Sequence, residues 1–412
     1  MDHHIFSLAN GLRIVFHPTN SPITHACMII NVGTRDEQNG EFGIAHFVEH
    51  LLFKRTKKRS TNQILNRLEL VGADLNAYTT KEYTCIHASF LNPHLTRTID
   101  LFEDILFNSV FPNEDIEKEK GIVLDEISSY QDSPEDAIMD DFEDLIFSGS
   151  GLGHNILGTE KDLSALEKPN VLAFVEKHYQ PENMVLGITG NYSLSYIQRI
   201  ASKYFSHLEN HKVARKRLPP PAILPANLSL KRPINQAHYM MGTRAYPVNH
   251  PKKMPLMILN NYLGGMGMSS RLNLLVREKH GIAYTIESSY TPYSDAGVFS
   301  IYFGTEADKG EKARALVLRE IKNSTKRKLG STLLKQAKNK FIGQIALGEE
   351  NRMSLIISMA KNLIDLGYVQ TLDEIYSQIE SVSANDLWEV ANELFTTEQL
   401  TTLLYEPSFD KN

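Results

Sequence analysis

The sequence predicts an α+β protein built from two structurally similar halves, each a mostly antiparallel sheet packed with helices. Strand-like hairpins and long amphipathic helices alternate in both halves. Short motifs of the first half recur in the same order in the second half. A basic, proline-rich stretch separates the two near the middle of the chain. Together these observations favour an internal duplication joined by a linker.

Size and composition are typical of a globular protein with two or more domains. The chain has 412 residues, of which 42% are hydrophobic and 22% are charged. A net charge of −6 gives no basic field that would favour nucleic-acid binding. No apolar run is long enough for a membrane span, and the first residues lack the pattern of a signal or transit peptide, so a cytoplasmic protein is expected. Cys27 and Cys85 are expected to be buried free thiols.

In the first half, turn residues and apolar periodicity predict the elements. A hairpin is expected around the turn at 9–11. The basic stretch 54–59 is expected to be a solvated surface loop. Strands are predicted at 5–7, 12–17, 24–32, 74–80, 82–90 and 183–189. Helices are predicted after Gly43 and at 61–71, 93–110, 113–130, 170–179 and 194–205.

Residues 211–225 interrupt this pattern and are predicted to be the linker. They combine basic residues with three consecutive prolines and show no periodicity, which indicates a semi-rigid connection. The predicted organisation is therefore a domain over residues 1–210, the linker, and a related domain over residues 226–412.

The second half repeats the first weakly but in order. Ala77-Tyr78-Thr79 reappears 206 residues later, and Gly33-Thr34-Arg35 reappears 209 residues later. Strands are predicted at 236–241, 283–290, 298–303 and 400–405. Helices are predicted at 255–263, 270–279, 311–321, 331–347, 353–366 and 385–394. The two halves are thus expected to share one fold.

The helix after Gly43 carries the sequence His46-Phe47-Val48-Glu49-His50, an H-x-x-E-H motif. Residues four apart share one helix face, so His46 and His50 can direct two imidazoles to one point. Two neutral imidazoles suit zinc, and a neighbouring carboxylate, here Glu49, suits a general base. In the second half, Pro255, Ile258 and Leu259 replace these three residues, so only the first half can build the site.

A catalytic zinc ion needs a third protein ligand, and acids on another element are the candidates. Glu119 and Glu126 are seven residues apart on the predicted helix 113–130, so they share one face. Ile122 and Val123 are expected on the same stripe, which would make the face apolar between two acids that need partners. From the residues alone, either glutamate can serve as the third ligand.

The motif at 46–50, the segment Glu-Lys-Gly-Ile-Val-Leu-Asp-Glu at 119–126 and the duplication resemble the pitrilysin/insulinase zinc metallopeptidases. The similarity is strongest to the bacterial branch that resembles mitochondrial processing peptidases. The resemblance implies one zinc ion per chain, held by His46, His50 and Glu126, which lies 76 positions after His50. It implies that Glu119 supports the site.

The resemblance also implies how the second half would contribute. Arg277 and Tyr284 match a pair that family members carry across the cavity from the zinc, where Tyr284 would stabilise the oxyanion and Arg277 would hold substrate. Asn76 and Ala77 match a substrate-binding segment, and a strand there can take an extended peptide by β-augmentation. The family's two halves form a clam shell, which implies short or unfolded peptides as substrates.

Besides a zinc hydrolase that acts on a non-peptide substrate, two functions remain open from the sequence. The first is a zinc endopeptidase, which we expect to be a homodimer. The alternative is a non-catalytic or partner-dependent subunit that forms a heterodimer with a paralogue, as some members of the family do.

Overall fold

The computed structural model describes residues 3–211, 217–222, 224–396 and 399–408. The chain forms two compact units. Unit 1 comprises Met1–Ser128, His154–Leu218 and Leu347–Thr371, and unit 2 comprises Ser129–Gly153, Pro219–Ala346 and Leu372–Asn412. Residues 212–216 and 223 of the predicted linker 211–225 lie outside the described residues.

Unit 1 contains a six-stranded sheet. Its strands are β1 (His4–Ser7), β2 (Arg13–Pro18), β3 (Ile23–Ile30), β4 (Asp74–Thr79), β5 (Thr84–Leu91) and β6 (Met184–Gly190). They lie in the order β1-β2-β6-β3-β5-β4. Only β2 and β6 pair in parallel; the other described pairs are antiparallel. Among the described strands, β4 therefore forms one edge of the sheet.

Capping residues mark the start of some helices of the first half. Ser60 and Gln63 form a capping box at the start of one helix, and the Ser193 hydroxyl caps another. The helices are α1 (Ile44–Leu52), α2 (Thr61–Glu69), α3 (Leu95–Phe107), α4 (Asn113–Gln131), α5 (Pro134–Ile146), α6 (Glu160–Ala165), α7 (Lys168–His178) and α8 (Leu194–Phe205). Of these, α5 lies in unit 2.

Unit 2 contains a five-stranded sheet. Its strands are β7 (Asn227–Arg232), β8 (Ala237–Ala245), β9 (Ala283–Pro292), β10 (Gly297–Thr305) and β11 (Thr401–Pro407). They lie in the order β7-β11-β8-β10-β9, with β7 and β11 parallel and the other described pairs antiparallel.

In the described part of the second half, six α-helices lie between these strands. A π-helical segment spans Asn273–Lys279, where the sequence predicted an ordinary helix over 270–279. The helices are α9 (Lys253–Leu263), α10 (Gly310–Lys326), α11 (Ser331–Gly348), α12 (Arg352–Asp365), α13 (Leu372–Ser381) and α14 (Ala384–Leu394). Of these, α12 lies in unit 1.

The two sheets share one topology. Taken in chain order, β2, β3, β4, β5 and β6 correspond to β7, β8, β9, β10 and β11, and each set is arranged in the same spatial order. Within each set, the first and last strands are the parallel pair. The predicted α+β class with two similar, mostly antiparallel halves is confirmed.

Repeat-related arginines also make corresponding contacts inside each unit. In unit 1, Arg35 donates to the carbonyl oxygen of Leu218 at 2.9 Å. In unit 2, Arg244 donates to the carbonyl oxygen of Pro220 at 3.2 Å. Both arginines belong to the Gly-Thr-Arg motif that recurs in the sequence, so the two copies hold neighbouring parts of the linker.

Each sheet is covered by a helix from the opposite half of the sequence. On unit 1, α12 packs residues Leu355, Ile356 and Met359 against the apolar side chains of β2, β3 and β6. A Cβ atom at Gly187 of β6 would lie 2.7 Å from Cys27 Sγ and 3.0 Å from Ile356 Cγ1, so this approach requires glycine. On unit 2, α5 packs Ile138, Phe142 and Ile146 against β8, β10 and β11.

Because α5 and α12 each pack on the sheet of the other half, which we call the exchange of these two helices, the two units differ from the domains predicted from the sequence. The sequence suggested contiguous domains at 1–210 and 226–412, but residues 129–153 belong to unit 2 and residues 347–371 belong to unit 1. The physical reason is that each amphipathic helix buries its apolar face on the other half's sheet.

The structure contains most of the predicted helices and strands, and it also contains some that the sequence did not predict. The sequence interpretation missed β7, α5, α6 and α13. Cys27 and Cys85 are buried free thiols, as predicted.

The basic stretch 54–59 does more than face solvent, because two of its side chains form ion pairs. Lys58 pairs with Glu103 at 3.1 Å, and Arg59 pairs with Asp104 at 2.5 Å. None of the described helices is both long enough and apolar enough to cross a membrane.

Candidate metal centre

The helix that carries the H-x-x-E-H motif is fixed at its start by a buried glutamate. Gly43 precedes α1 with a φ of 95°, and a Cβ atom there would lie 2.5 Å from the Leu157 carbonyl oxygen. The backbone N–H groups of Gly43 and Ala45 donate to the Glu37 carboxylate at 2.9 and 2.8 Å. His154 Nε2 lies 2.9 Å from the same carboxylate. The Glu37 side chain therefore accepts from two backbone N–H groups at the start of α1 that have no partner within the helix.

The two histidines of α1 converge. Their Nε2 atoms lie 3.2 Å apart. Glu126 of α4 adds carboxylate oxygens 3.8 Å from His46 Nε2 and 3.5 Å from His50 Nε2. Within the part of the chain that the structure describes, these three residues are the one group of histidine, cysteine and acidic side chains close enough to hold a metal ion.

The spacing of these donor atoms fits zinc. Two donors bound at 2.0–2.2 Å to a tetrahedral ion are about 3.3–3.6 Å apart. The two histidine Nε2 atoms lie 3.2 Å apart, close to that range, and the Glu126 oxygens approach them to 3.8 Å from Oε1 to His46 and 3.5 Å from Oε2 to His50. Two imidazole nitrogens and one carboxylate oxygen also leave a fourth position for water, which is the donor set of a catalytic zinc site.

His46 is held in the form that binds a metal. Burial and the neighbouring His50 lower the pKa of His46 to about 3. The ring is therefore neutral near pH 7, with a nitrogen lone pair available to a metal. Its Nδ1 atom is buried and has no hydrogen-bond partner among the described residues.

Glu119 orients the His50 ring through a contact with its Nδ1 atom. This Nδ1 lies 2.9 Å from Glu119 Oε1, which assigns the ring proton to Nδ1 and leaves Nε2 free for a metal. Burial alone would lower the pKa of His50, but the Glu119 hydrogen bond and the charges of Glu49, Glu119 and Glu126 outweigh burial and raise it. The other Glu119 oxygen lies 2.6 Å from Lys54 Nζ. Burial would raise the pKa of Glu119, but its hydrogen bonds to His50 and Lys54 lower it, so it stays a carboxylate.

The two glutamates of α4 therefore occupy different environments. Glu119 is 3% exposed and contacts the outer side of His50, whereas the side chain of Glu126 is 44% exposed and lies beside both Nε2 atoms. This geometry favours Glu126 over Glu119 as a third ligand. The expected apolar stripe between them is confirmed for Val123, which is buried, and wrong for Ile122, which is 42% exposed.

Glu49 lies on the same helix but does not join the three donors. It is buried, and the Thr79 hydroxyl donates to its Oε2 at 2.7 Å. Burial raises the pKa of Glu49, and the Thr79 hydrogen bond opposes that shift in part. A carboxyl group with a raised pKa accepts and releases a proton near neutral pH more readily than an ordinary glutamate.

The predicted substrate segment lies on the edge strand β4. Asn76 is exposed and Ala77 is half-buried. The Ala77 N–H donates to the Asn76 side-chain oxygen at 2.8 Å. An edge strand presents unpaired backbone groups along one side, which is what β-augmentation requires.

Arg277 and Tyr284 both lie in unit 2, and the structure brings them together. The Arg277 guanidinium lies 5.0 Å from the centre of the Tyr284 ring, a cation–π contact. Tyr284 is 80% exposed. This stacked pair is therefore available to a ligand. The roles predicted for Arg277 in holding substrate and for Tyr284 in stabilising the oxyanion stay predictions.

Comparison with known proteins identifies the family. Residues 13–160 match the family described as Insulinase (Peptidase family M16), and residues 165–341 match the Peptidase M16 inactive domain. A Bacillus subtilis protein named "Uncharacterized zinc protease YmxG" is 32% identical over 97% of each chain. The chain belongs to the insulinase family of peptidases. A Rickettsia felis member named "Uncharacterized zinc protease" is also 32% identical, over 96% of this chain and 95% of its own.

Solved structures show the same insulinase-family fold. A protease from Helicobacter pylori superposes with a TM-score of 0.92 at 22% identity, covering 98% of this chain and all of that one. A Pseudomonas fluorescens structure described as a peptidase M16 inactive domain has a TM-score of 0.91 at 20% identity, covering 100% and 99%. The family match and the names of the relatives support a peptidase that uses zinc.

Several residues that shape this insulinase-family site were not predicted from the sequence. Thr79 holds Glu49, Lys54 pairs with Glu119, and Glu37 caps α1. A capping signal in a sequence lies at the N-cap or in the first helical turn, and Glu37 lies six residues before Gly43, so its contact with α1 was not accessible to sequence reasoning. The roles of Thr79 and Lys54 were not accessible either, because their partners lie on other elements.

Proposed function

We propose that this chain is a zinc-dependent endopeptidase that cleaves short or unfolded peptides. The observation that carries the proposal is the cluster of His46, His50 and Glu126, with Glu49 one residue before His50 on α1. Its donor set and spacing fit a catalytic zinc ion, and Glu49 is a buried carboxyl group beside it.

In this proposal the side chains of the site in unit 1 have separate roles. When bound, zinc lowers the pKa of a coordinated water and polarises a carbonyl group. Glu49 accepts the proton of the attacking water and delivers it to the leaving amine. Thr79 engages Oε2 of Glu49, which leaves Oε1 to carry that proton. Glu119 keeps the His50 ring in the tautomer that can bind a metal.

The substrate class follows from the edge strand β4. A peptide that adds to this edge pairs through its backbone, which requires an extended segment and selects weakly for side chains. Folded proteins rarely offer such a segment, so short or unfolded peptides are the expected substrates. Arg277 and Tyr284 are proposed to hold the substrate backbone and to stabilise the oxyanion, respectively.

The decisive experiment replaces Glu49 by Gln and measures zinc content and cleavage of a mixed peptide library. Gln keeps the size of the side chain but cannot take up the proton, so we expect one bound zinc and a loss of at least about 100-fold in rate, the usual contribution of general acid–base catalysis. Cleavage at the wild-type rate with zinc retained would show that Glu49 is not the base.

We also propose that the chain acts as a homodimer in the cytoplasm. The alternative is a non-catalytic or partner-dependent subunit of a heterodimer. Size-exclusion chromatography of the pure chain, combined with the peptide assay, separates these possibilities. An active dimer of one chain supports the first, and an inactive chain that gains activity only with a paralogue supports the second.

A further inference from the structure

The Glu49 carboxylate is held by a residue of another element. In the described part of the chain, Thr79 supplies the one hydrogen bond from a side chain to this carboxylate, at 2.7 Å. Glu49 and Thr79 are 8% and 9% exposed, so water competes little for the contact. A threonine hydroxyl has few rotamers, which makes it a well-defined donor.

Thr79 is itself fixed by the hairpin of β4 and β5. It is the last residue of β4 and lies opposite Thr84 of β5. The next residue, Thr80, donates its backbone N–H to the Tyr83 carbonyl oxygen at 2.8 Å. The Thr34 N–H donates to the Thr80 carbonyl oxygen at 3.1 Å, which ties the turn to the loop after β3. The position of the Thr79 hydroxyl is therefore set by the sheet and not by α1.

This arrangement connects two parts of the proposed reaction. The base belongs to α1, whereas the strand proposed to bind substrate is β4, and Thr79 is the side chain that joins them. A peptide added to β4 would be positioned by the same strand that orients Glu49. Catalysis depends on such placement, since a misplacement of about 1 Å can cost about 100-fold in rate.

We propose that Thr79 is a positioning residue, which orients Glu49 relative to the substrate strand. This inference rests on the proposed peptidase function. Loss of the hydroxyl should allow the Glu49 carboxylate to rotate while the metal cluster and the strand stay in place. The expected consequence is a lower kcat with little change in KM or in zinc binding.

The test compares Thr79→Val with two matched variants of the full chain. Valine has nearly the same shape but no hydroxyl, and Thr79→Ser restores the hydroxyl. Thr84→Val is the control, because Thr84 is also a buried threonine of this hairpin, and its hydroxyl donates to the Val32 carbonyl oxygen at 3.0 Å. The readouts are kcat and KM with a fluorogenic peptide, zinc affinity by competition with a chelator, and the absorption spectrum of the Co²⁺-substituted protein.

For Thr79→Val we expect kcat to fall about 10- to 100-fold, with KM within about twofold of wild type. Zinc affinity and the Co²⁺ spectrum should be unchanged, Thr79→Ser should recover most of kcat, and Thr84→Val should keep it. A wild-type kcat in Thr79→Val, or equal losses in Thr79→Val and Thr79→Ser, would overturn the inference. So would a parallel loss of zinc affinity, because the residue would then support the metal site as a whole.

The outcome for Glu49→Gln separates this inference from the proposed function. If Glu49→Gln is inactive and Thr79→Val is fully active, the inference about Thr79 alone fails. If the wild-type chain loaded with zinc cleaves no peptide, the proposed function fails and the inference fails with it.

Discussion

The same topology surrounds two very different helices in this protein. In unit 1, α1 follows β3 and carries His46, Glu49 and His50. In unit 2, α9 follows β8, the counterpart of β3, and carries Pro255, Ile258 and Leu259 at the corresponding positions. All three residues of α9 are buried, and Ile258 and Leu259 belong to the apolar core of unit 2. The fold therefore does not require the polar motif, and the chemistry rests on a few side chains of one copy.

The two helices also differ in what their surroundings must supply. Ile258 and Leu259 need only apolar contacts, whereas buried histidine and glutamate side chains need polar partners. Thr79 hydrogen-bonds Glu49, and Glu119, which is itself paired with Lys54, hydrogen-bonds His50. The metal site thus needs supporting residues on β4, on α4 and after α1, and it cannot be created by changing one helix.

The largest effect is expected when α1 is made to resemble α9. His50→Leu introduces the residue that occupies the corresponding position of α9. It removes one metal donor and one of the two partners described for Glu119, so we expect no bound zinc and no detectable peptide cleavage. Metal analysis and the peptide assay measure both. Leu259→Met, a volume-conserving change on α9, should keep zinc and activity. One full equivalent of zinc in His50→Leu would contradict the assigned ligands.

A smaller effect is expected when the exchanged helices are weakened. Ile356→Ala on α12 and Phe142→Ala on α5 each remove a fully buried side chain that packs on a sheet. We expect the free energy of unfolding to fall by about 2–5 kcal/mol for each, as measured by urea denaturation. Leu347→Ala, at a residue that is 75% exposed, is the control and should be within about 0.5 kcal/mol of wild type. Similar stability for all three variants would show that the exchanged helices contribute little.

A change at Glu119, which contacts His50, is expected to lower zinc binding less than a change of the ligand His50 itself. Glu119→Gln keeps a hydrogen-bond acceptor but removes the charge, so we expect zinc affinity to fall about 10- to 100-fold. Competition with a chromophoric chelator measures it. Glu117→Gln is the matched control on the same helix, because the Glu117 side chain is 69% exposed and pairs only with Lys120 among the described residues. Equal zinc affinity in both variants would contradict the role of Glu119.

The smallest effect concerns the pH dependence of the metal-free protein. His46 has a pKa of about 3 when folded and about 6.5 when unfolded, so between these values only the unfolded chain binds this proton. The free energy of unfolding should therefore fall as the pH decreases from 6.5, by up to about 1.4 kcal/mol per pH unit from this residue. His50 acts in the opposite sense because its folded pKa is raised.

The variant His46→Leu removes this titrating group and places an apolar side chain at the buried position where α9 has Pro255. Urea denaturation of the chelator-treated wild type and variant at pH 5, 6 and 7 gives the two slopes. The wild type should lose more stability than the variant between pH 6 and pH 5. Parallel slopes would show that His46 is not kept neutral by burial.

The sequence was informative where the evidence is local. The spacing of His46 and His50 on a helix needs only the helical period, and the cluster geometry follows from it. The repeat of Gly-Thr-Arg predicts the shared topology of the two sheets. Choosing Glu126 over Glu119 needed the family resemblance, because seven residues make two helical turns and both side chains project from one helix face.

The sequence was less informative where the partner lies far along the chain. Lys54 looks like one member of a basic surface loop, and only the fold shows that it meets buried Glu119. The apolar period predicted α12 correctly but could not say which sheet it covers, since either sheet offers an apolar face. Ile122 was likewise assigned to the buried face of α4, but that face carries Ile116, Val123 and Ile127 and leaves Ile122 exposed.

The exchange of α5 and α12 has a consequence for how the chain is made. A ribosome releases all of β1 to β6 before it reaches residue 352, where α12 begins. Until then the side chains of Val15, Ile29 and Val185 lack the helix that covers them. Nascent chains with such exposed apolar surface aggregate or bind chaperones. The unit that carries the metal site is therefore completed late in translation, and a truncated product ending at the linker would emerge with an uncovered sheet.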